Sequence, residues 1–175
     1  MESRIVCVVG RKNAGKTTLA VALAAEYVRR GRRVMTIKHS DHPAGVDRAG
    51  TDSWRHFHEG GAERTLLVSP DMRVLFERSP DEYDPAALAR RYLAGADIVV
   101  AEGYKHARLP KVEVYRPEIG PPLYDPARDD ASDWVGIVTD DPDFRADCPV
   151  LRFGDTAWLP TLASLAWDGA LELVP

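Results

Sequence analysis

The stretch Gly10-Arg-Lys-Asn-Ala-Gly15-Lys16-Thr17 constrains this chain more than any other eight residues. It fills the pattern G-x-x-x-x-G-K-[ST] completely and sits between two elements of different period. Before it, Ile5-Val-Cys-Val-Val9 is a continuous apolar run, the mark of a strand buried on both faces of a parallel sheet. After it, Leu19, Ala20, Leu23, Ala24 and Tyr27 recur at helical spacing from Lys16 onward, and Gly31 behind Arg29-Arg30 supplies a helix stop. A loop between such elements turns its backbone N–H groups inward at the positive end of the helix, where a phosphate is held. The expected phosphate contacts are therefore Gly10, Asn13, Ala14, Gly15, Lys16, Thr17 and Thr18. The glycines admit the loop conformation, Lys16 neutralises the outer phosphate oxygens, Thr18 adds a hydrogen bond, and Thr17 offers its hydroxyl to Mg²⁺.

The remaining chain keeps alternating between the two periods. Val34-Met-Thr-Ile37 reads as a second strand, completing a βαβ unit. A loop is expected over 38–51, then a short helix from Asp52 to about Glu59, then a hairpin of Glu63–Ser69 and Arg73–Glu77 around Pro70-Asp71. Asp84-Pro85 opens a helix with Leu88, Tyr92 and Leu93 facing inward. Ile98-Val-Val-Ala101 is a third strand of the buried type, whereas Lys111 to Arg116 alternates like a more exposed one. Val135–Val138 and Val150–Phe153 are further strands, and Asp155 is placed to cap a closing helix through about Trp167. This order predicts an α/β fold: one three-layer P-loop NTPase domain over residues 1–175, with a mostly parallel sheet and helices on both faces. The proline- and aspartate-rich segment 117–133 is expected to be a flexible loop.

Composition narrows the class further. With 175 residues, 45% of them hydrophobic, the chain can build a core without disulfides, and its 2 cysteines, Cys7 and Cys148, fit a reducing compartment. No apolar run approaches the roughly 18 residues a membrane helix needs, so the expectation is a cytoplasmic protein with no membrane partner. Net charge is 23 minus 27, or -4, which argues against a nucleic-acid partner. The charge is uneven, however. Residues 1–64 carry 12 Lys+Arg and 7 Asp+Glu (+5), and the remainder carries 11 and 20 (-9), so an anionic ligand is better received by the N-terminal part.

A Mg²⁺ beside a phosphate loop calls for a carboxylate at the end of a neighbouring strand. Asp97-Ile-Val-Val-Ala-Glu102 offers two, and Glu102 is chosen because it lies at the carboxyl end, where open parallel sheets bind ligands. Lys38-His39 follows the second strand at the same edge, and the loop beyond brings Asp47 and Asp52, of which Asp52 is the further Mg²⁺ candidate. Zinc held by His39, His42, His56 or His58 is the weaker reading, because the spacing matches no closed structural site.

These residues together resemble the molybdopterin-guanine dinucleotide biosynthesis protein B family. Beyond the phosphate loop, the resemblance is carried by Lys38-His39, Asp47, Gly50, Asp52-Ser53 and Gly61-Ala62. It continues in Glu102-Gly103-Tyr104-Lys105 and Pro110-Lys111-Val-Glu-Val-Tyr-Arg116, spans residues 5 to 116, and thins to Val138-Thr139-Asp140 afterwards. Asp41, Pro43 and Ala49 depart from the family pattern. The resemblance implies GTP binding with weak hydrolysis, a homodimer, and help to the partner enzyme that joins GMP to molybdopterin. On that reading Lys38, His39, Lys105, Lys111 and Arg116 are candidates for contacting a second anion, such as the phosphate of molybdopterin, or the partner. An N-K-x-D guanine box is absent, and Asp140 is its substitute, with an ordinary strand-ending aspartate as the equal alternative. Hydrolysis is expected to be slow at most, since the chain contains no glutamine to orient water. A small-molecule kinase or ATP-dependent ligase is the competing function, with His39, Lys105, Lys111 and Arg116 available to clamp a substrate.

Overall fold

A buried strand opens the structure, and the helix that follows folds back over it. The computed structural model describes residues 3–40, 45–78 and 84–174. β1 (Ser3–Gly10) is apolar from Ile5 to Val9 and fully buried there; α1 (Lys16–Arg29) turns Leu19, Ala20, Leu23 and Tyr27 onto the sheet. Gly31, at φ 75°, takes the left-handed conformation that ends α1. Glu26, buried on α1, accepts hydrogen bonds from Arg29 and Arg30, which hold its carboxyl down to about 2.

The chain divides into two compact units, one formed by Met1–His39 with Asp84–Pro175 and the other by Ser40–Tyr83. The larger unit contains β2 (Val34–Lys38), α3 (Pro85–Tyr92), β5 (Ile98–Glu102) and β6 (Lys111–Tyr115). It ends with β7 (Trp134–Thr139), β8 (Val150–Arg152), α4 (Trp158–Asp168) and β9 (Leu171–Leu173). Among the described residues its sheet has 7 strands, six of them in the order β2-β5-β1-β6-β7-β8 and all parallel along that path, with β9 off it. β9 runs antiparallel to Ser3–Ile5 of β1, while β6 pairs with Cys7–Gly10, so the two share one edge of the central strand. β9 was not expected; three residues with one buried side chain carry no periodic signal.

Alternation along β1 sorts the core into two layers. Val6 and Val8 pack with Leu19, Leu23 and Tyr27 of α1 and with Leu162, Ala163 and Ala166 of α4. Ile5, Cys7 and Val9 face the other way, toward Ala86 and Ala89 of α3, Leu109, Tyr124 and Cys148. Helices thus cover both faces of a mostly parallel sheet, as the alternating pattern predicts. The Tyr27 hydroxyl donates to the Ala163 carbonyl across 2.9 Å, tying α1 to α4. Both cysteines are free and buried, and burial pushes the Cys7 thiol up to about 12, so it behaves as a small core residue.

Three local expectations are corrected. α3 is capped by Asp84, which accepts from the Ala87 amide at 3.1 Å, but it buries Pro85, Ala86 and Ala89 while Tyr92 is exposed. Small side chains let this helix lie close to the sheet, an option that helical period alone does not reveal. The cap of α4 is Ala157 without a side-chain bond, not Asp155, whose carbonyl instead accepts from Trp158 N. β6 is an interior strand with Val112, Glu113 and Val114 buried, because β1 and β7 lie on either side of it. Segment 117–133 contains a short 3₁₀ turn, Ala131–Asp133, and is anchored where Glu113 accepts the Leu123 and Tyr124 amides at 2.6 and 3.1 Å.

The smaller unit contains α2 (Asp52–His58), capped by Thr51, and an antiparallel hairpin of β3 (Arg64–Val68) and β4 (Arg73–Glu77). Asp71 and Ser69 close its turn through a 2.6 Å hydrogen bond. Among the described residues no helix is long and apolar enough to cross a membrane.

Candidate functional site

The carboxyl ends of β1, β5 and β2 come together at one edge of the sheet. Register places Glu102 beside Val8 on one side and beside Lys38 on the other, so these side chains leave the sheet on the α1 face. The chain leaves β1 at Gly10, φ 150°, where a Cβ would stand 2.7 Å from the Val114 carbonyl oxygen; no larger residue fits. Asn13 at φ 66° and Gly15 at φ 102° complete the left-handed positions of the loop. α1 begins with no side-chain cap and no acidic residue in its first turn, which leaves its first N–H groups open to an anion.

Lys16 reaches back over the loop and donates to the Arg11 carbonyl at 2.8 Å. Partial burial lowers its pKa; Glu102 opposes that shift, while Lys38 and Lys105 reinforce it. Two ammonium groups, Lys16 and Lys38, thus act on one carboxylate, and Lys105 acts on Lys16. Glu102 is only 7% exposed and accepts from the Thr17 hydroxyl at 2.6 Å and from Lys38 Nζ at 2.7 Å. Burial pushes its carboxyl up, but the Lys38 and Thr17 hydrogen bonds and the charges of Lys38 and Lys16 outweigh that and hold it below the usual range. The donor set fits Mg²⁺: a hydroxyl and a carboxylate oxygen close together beside a phosphate cradle, with the remaining ligands left to phosphate and water. Among the described residues no group of three or more His, Cys, Asp and Glu side chains comes together to hold a metal.

The other candidates divide by position. Gly103, at φ 108°, would bring a Cβ to 3.0 Å from the His39 Cβ, and Tyr104 follows at φ 22°. His39 donates its backbone amide to the Glu102 carbonyl at 2.9 Å, and its ring lies 4.9 Å from that of Tyr104. Lys38, His39 and Lys105 therefore belong to the Glu102 edge. Lys111 begins β6 at the opposite end of the strand, with its ammonium donating to Leu109 O at 3.2 Å and lying over the Trp134 ring. Arg116 and Asp140 meet each other: the guanidinium pairs with the Asp140 carboxylate and lies 4.1 Å from the Phe153 ring centre. Asp52 stands in the first turn of α2, within the smaller unit; Asp47 lies in the same unit ahead of α2 and accepts from Thr51 at 2.8 Å. Asp41 and His42 lie outside the described residues.

Two features escaped the sequence. Lys38 and Glu102 are 64 residues apart, and only the adjacency of β2 and β5 makes them partners. Glu113 sits in an alternating Val-Glu-Val that reads as a half-exposed strand, although a charge flanked by valines between two apolar strands is the signal that was available.

A phosphate loop leading from the central strand of a parallel sheet into a helix, with a carboxylate at the end of the neighbouring strand, defines the P-loop class of α/β nucleotide-binding folds. Within that class the chain belongs to the family described as molybdopterin guanine dinucleotide synthesis protein B, whose model matches residues 5–140. It is 34% identical over 117 residues to a molybdopterin-guanine dinucleotide biosynthesis adapter protein of Haemophilus influenzae, covering 66% of this chain and 65% of that one. The Escherichia coli adapter protein of the same description is 35% identical over 109 residues, with 61% and 62% covered. The matches thus span a little under two thirds of those relatives. Among solved structures, a MobB protein homolog from Bacillus stearothermophilus superposes with a TM-score of 0.61 at 26% identity, covering 91% of this chain and 95% of that one. Bacillus subtilis MobB shares the fold with a TM-score of 0.67 at 20% identity, covering 96% and 98%.

Proposed function

We propose that this chain is a GTP-binding adaptor in molybdenum cofactor maturation, which assists the enzyme that joins GMP to molybdopterin and turns GTP over slowly at most. The observation that carries this reading is the Thr17–Glu102 oxygen pair beside an uncapped phosphate loop, in a chain of this family. Gly10, Asn13, Ala14, Gly15, Lys16, Thr17 and Thr18 hold the polyphosphate. Thr17 and Glu102 would hold Mg²⁺, with Asp52 as a further candidate, and the cation would supply positive charge to neutralise the phosphates. Lys38, His39 and Lys105 face a second anion such as the molybdopterin phosphate. Lys111 and Arg116 are the weaker contacts, since each is engaged within its own surroundings. Asp140 reads guanine only after its pairing with Arg116 is loosened.

Slow hydrolysis is supported by the surroundings of the loop. No glutamine is available in the chain, and Arg11, the nearest arginine in sequence, donates its Nε to the Pro121 carbonyl at 2.5 Å. A homodimer is supported by the β3–β4 hairpin, which exposes Leu66, Leu67, Val68, Met72 and Leu75; an apolar two-stranded edge of this kind invites pairing with a second copy. The proposed location is the cytoplasm.

The test is a reconstituted reaction of molybdopterin, GTP and the GMP-transferring enzyme. Wild type should raise the yield of dinucleotide, and Lys16→Ala should lose both that effect and GTP binding, by about 10- to 150-fold in affinity, while remaining folded. No stimulation, combined with phosphorylation of a small metabolite, would replace this reading with that of a kinase.

A further inference from the structure

The oxygen pair assigned to Mg²⁺ already has an occupant. Lys38 Nζ lies 2.7 Å from Glu102 Oε1 and 3.5 Å from Thr17 Oγ1, and Thr17 donates to that same Oε1 across 2.6 Å. One ammonium therefore sits against both atoms that a divalent cation would use. The three groups are not equally fixed. Glu102 is buried at the end of an interior strand, and Thr17 belongs to the first turn of α1. Lys38 ends β2, an edge strand, and its side chain is 61% exposed. Lys38 brings the positive charge to Glu102, and it can withdraw into solvent by rotating side-chain bonds, with no backbone movement.

Electrostatics makes the two occupants exclusive. Lys16 and Lys38 both act on the Glu102 carboxylate, and a dication added with Lys38 in place would meet the Lys38 ammonium over the same two oxygens, where like charges repel. We propose that Lys38 is a built-in competitor for the cation: it must give up Glu102 and Thr17 before that pair can hold Mg²⁺, so cation loading and release of the Lys38 ammonium are one coupled step. The released ammonium is then free to face an incoming phosphate oxyanion at the same edge, which makes metal loading the event that arms Lys38. This inference rests on the reading that Thr17 and Glu102 bind Mg²⁺ beside a nucleotide.

The experiment follows binding of a fluorescent GTP analogue to the full-length protein while Mg²⁺ is titrated at constant ionic strength. Wild type, Lys38→Gln and Lys38→Met are compared with Arg90→Gln, which removes one positive charge from an exposed position of α3, the helix on the sheet face opposite Glu102. Both Lys38 variants should lower the Mg²⁺ concentration for half-maximal binding by about tenfold, the size of one charge-assisted contact. Arg90→Gln should shift it by less than about twofold, because an exposed charge is screened. A midpoint unchanged or raised in both Lys38 variants overturns the inference, as does an equal shift in Arg90→Gln, which would mean that net charge alone is responsible. If instead wild type binds the analogue with no dependence on Mg²⁺, the underlying assignment of Thr17 and Glu102 falls and this inference falls with it. That failure is visible in the wild-type curve before any variant is compared.

Discussion

Glu102 and Glu113 stand on the two strands that flank β1, in register with Val8 and Val9, so their side chains leave the sheet on opposite faces. Both are buried glutamates at nearly the same height, yet their surroundings are opposite in kind. Glu102 meets two ammonium groups and a hydroxyl at a sheet edge, and its carboxyl is held below the usual range. Glu113 meets two backbone amides from the 121–124 stretch, and burial raises its carboxyl despite those bonds. The difference teaches what each carboxylate is for. Backbone amides cannot leave, so Glu113 is a fixed anchor, whereas a lysine and a hydroxyl can be exchanged for a cation, so Glu102 is available to chemistry.

The largest expected effect tests the anchor. Glu113→Ala leaves the Leu123 and Tyr124 amides without their partner, and unsatisfied buried donors should cost about 2–4 kcal/mol in chemical denaturation. Relief from burying a charge offsets part of this, and a loss below about 1 kcal/mol would break the comparison by showing that the 121–124 stretch does not depend on Glu113.

Glu102→Gln keeps the shape of the side chain and removes its charge. Stability should change by less than about 1 kcal/mol, because the Lys38 ion pair is largely exposed on the lysine side. The Mg²⁺ requirement of GTP binding should rise by about tenfold. Isothermal titration with and without Mg²⁺ separates the two readouts, and a large stability loss with an unchanged Mg²⁺ requirement would make Glu102 a second anchor.

The smallest effect is in pH dependence, where the two residues should differ in sign. Glu102 has a lowered folded pKa, so its contribution to stability is complete above the ordinary value of 4.5 and is lost as pH falls through the folded value. Glu113 has a raised folded pKa, so its contribution is complete below 4.5 and is lost as pH rises through the folded value. The stability difference between wild type and Glu102→Gln should therefore shrink on acidification from pH 7, and that between wild type and Glu113→Gln should grow. Denaturation curves at pH 7, 5.5 and 4 check the signs; two differences that move together would show that the two environments are alike.

The comparison also marks how far the sequence could be read. β1, the phosphate loop and α1 were legible because each is specified by neighbours within a few residues: an apolar run, left-handed glycines, and a 3.6-residue period ended by Gly31. Glu102 was legible as a strand-end carboxylate for the same reason, since Ile98–Ala101 announces a buried strand and the next residue must emerge at its edge. The order of strands has no such local signature. It made β6 interior, and so buried Glu113; it brought β2 against β5, and so joined Lys38 to Glu102; and it closed Arg116 onto Asp140, 24 residues away. The sequence by itself determined that this chain folds around a phosphate loop, because a strand, a glycine turn and a helix N-terminus are set by short-range sterics and hydrogen bonding. Which charges meet at that loop was decided only by the tertiary structure, because electrostatic partners are chosen by distance in space, and strand pairing brings together residues that the chain keeps far apart.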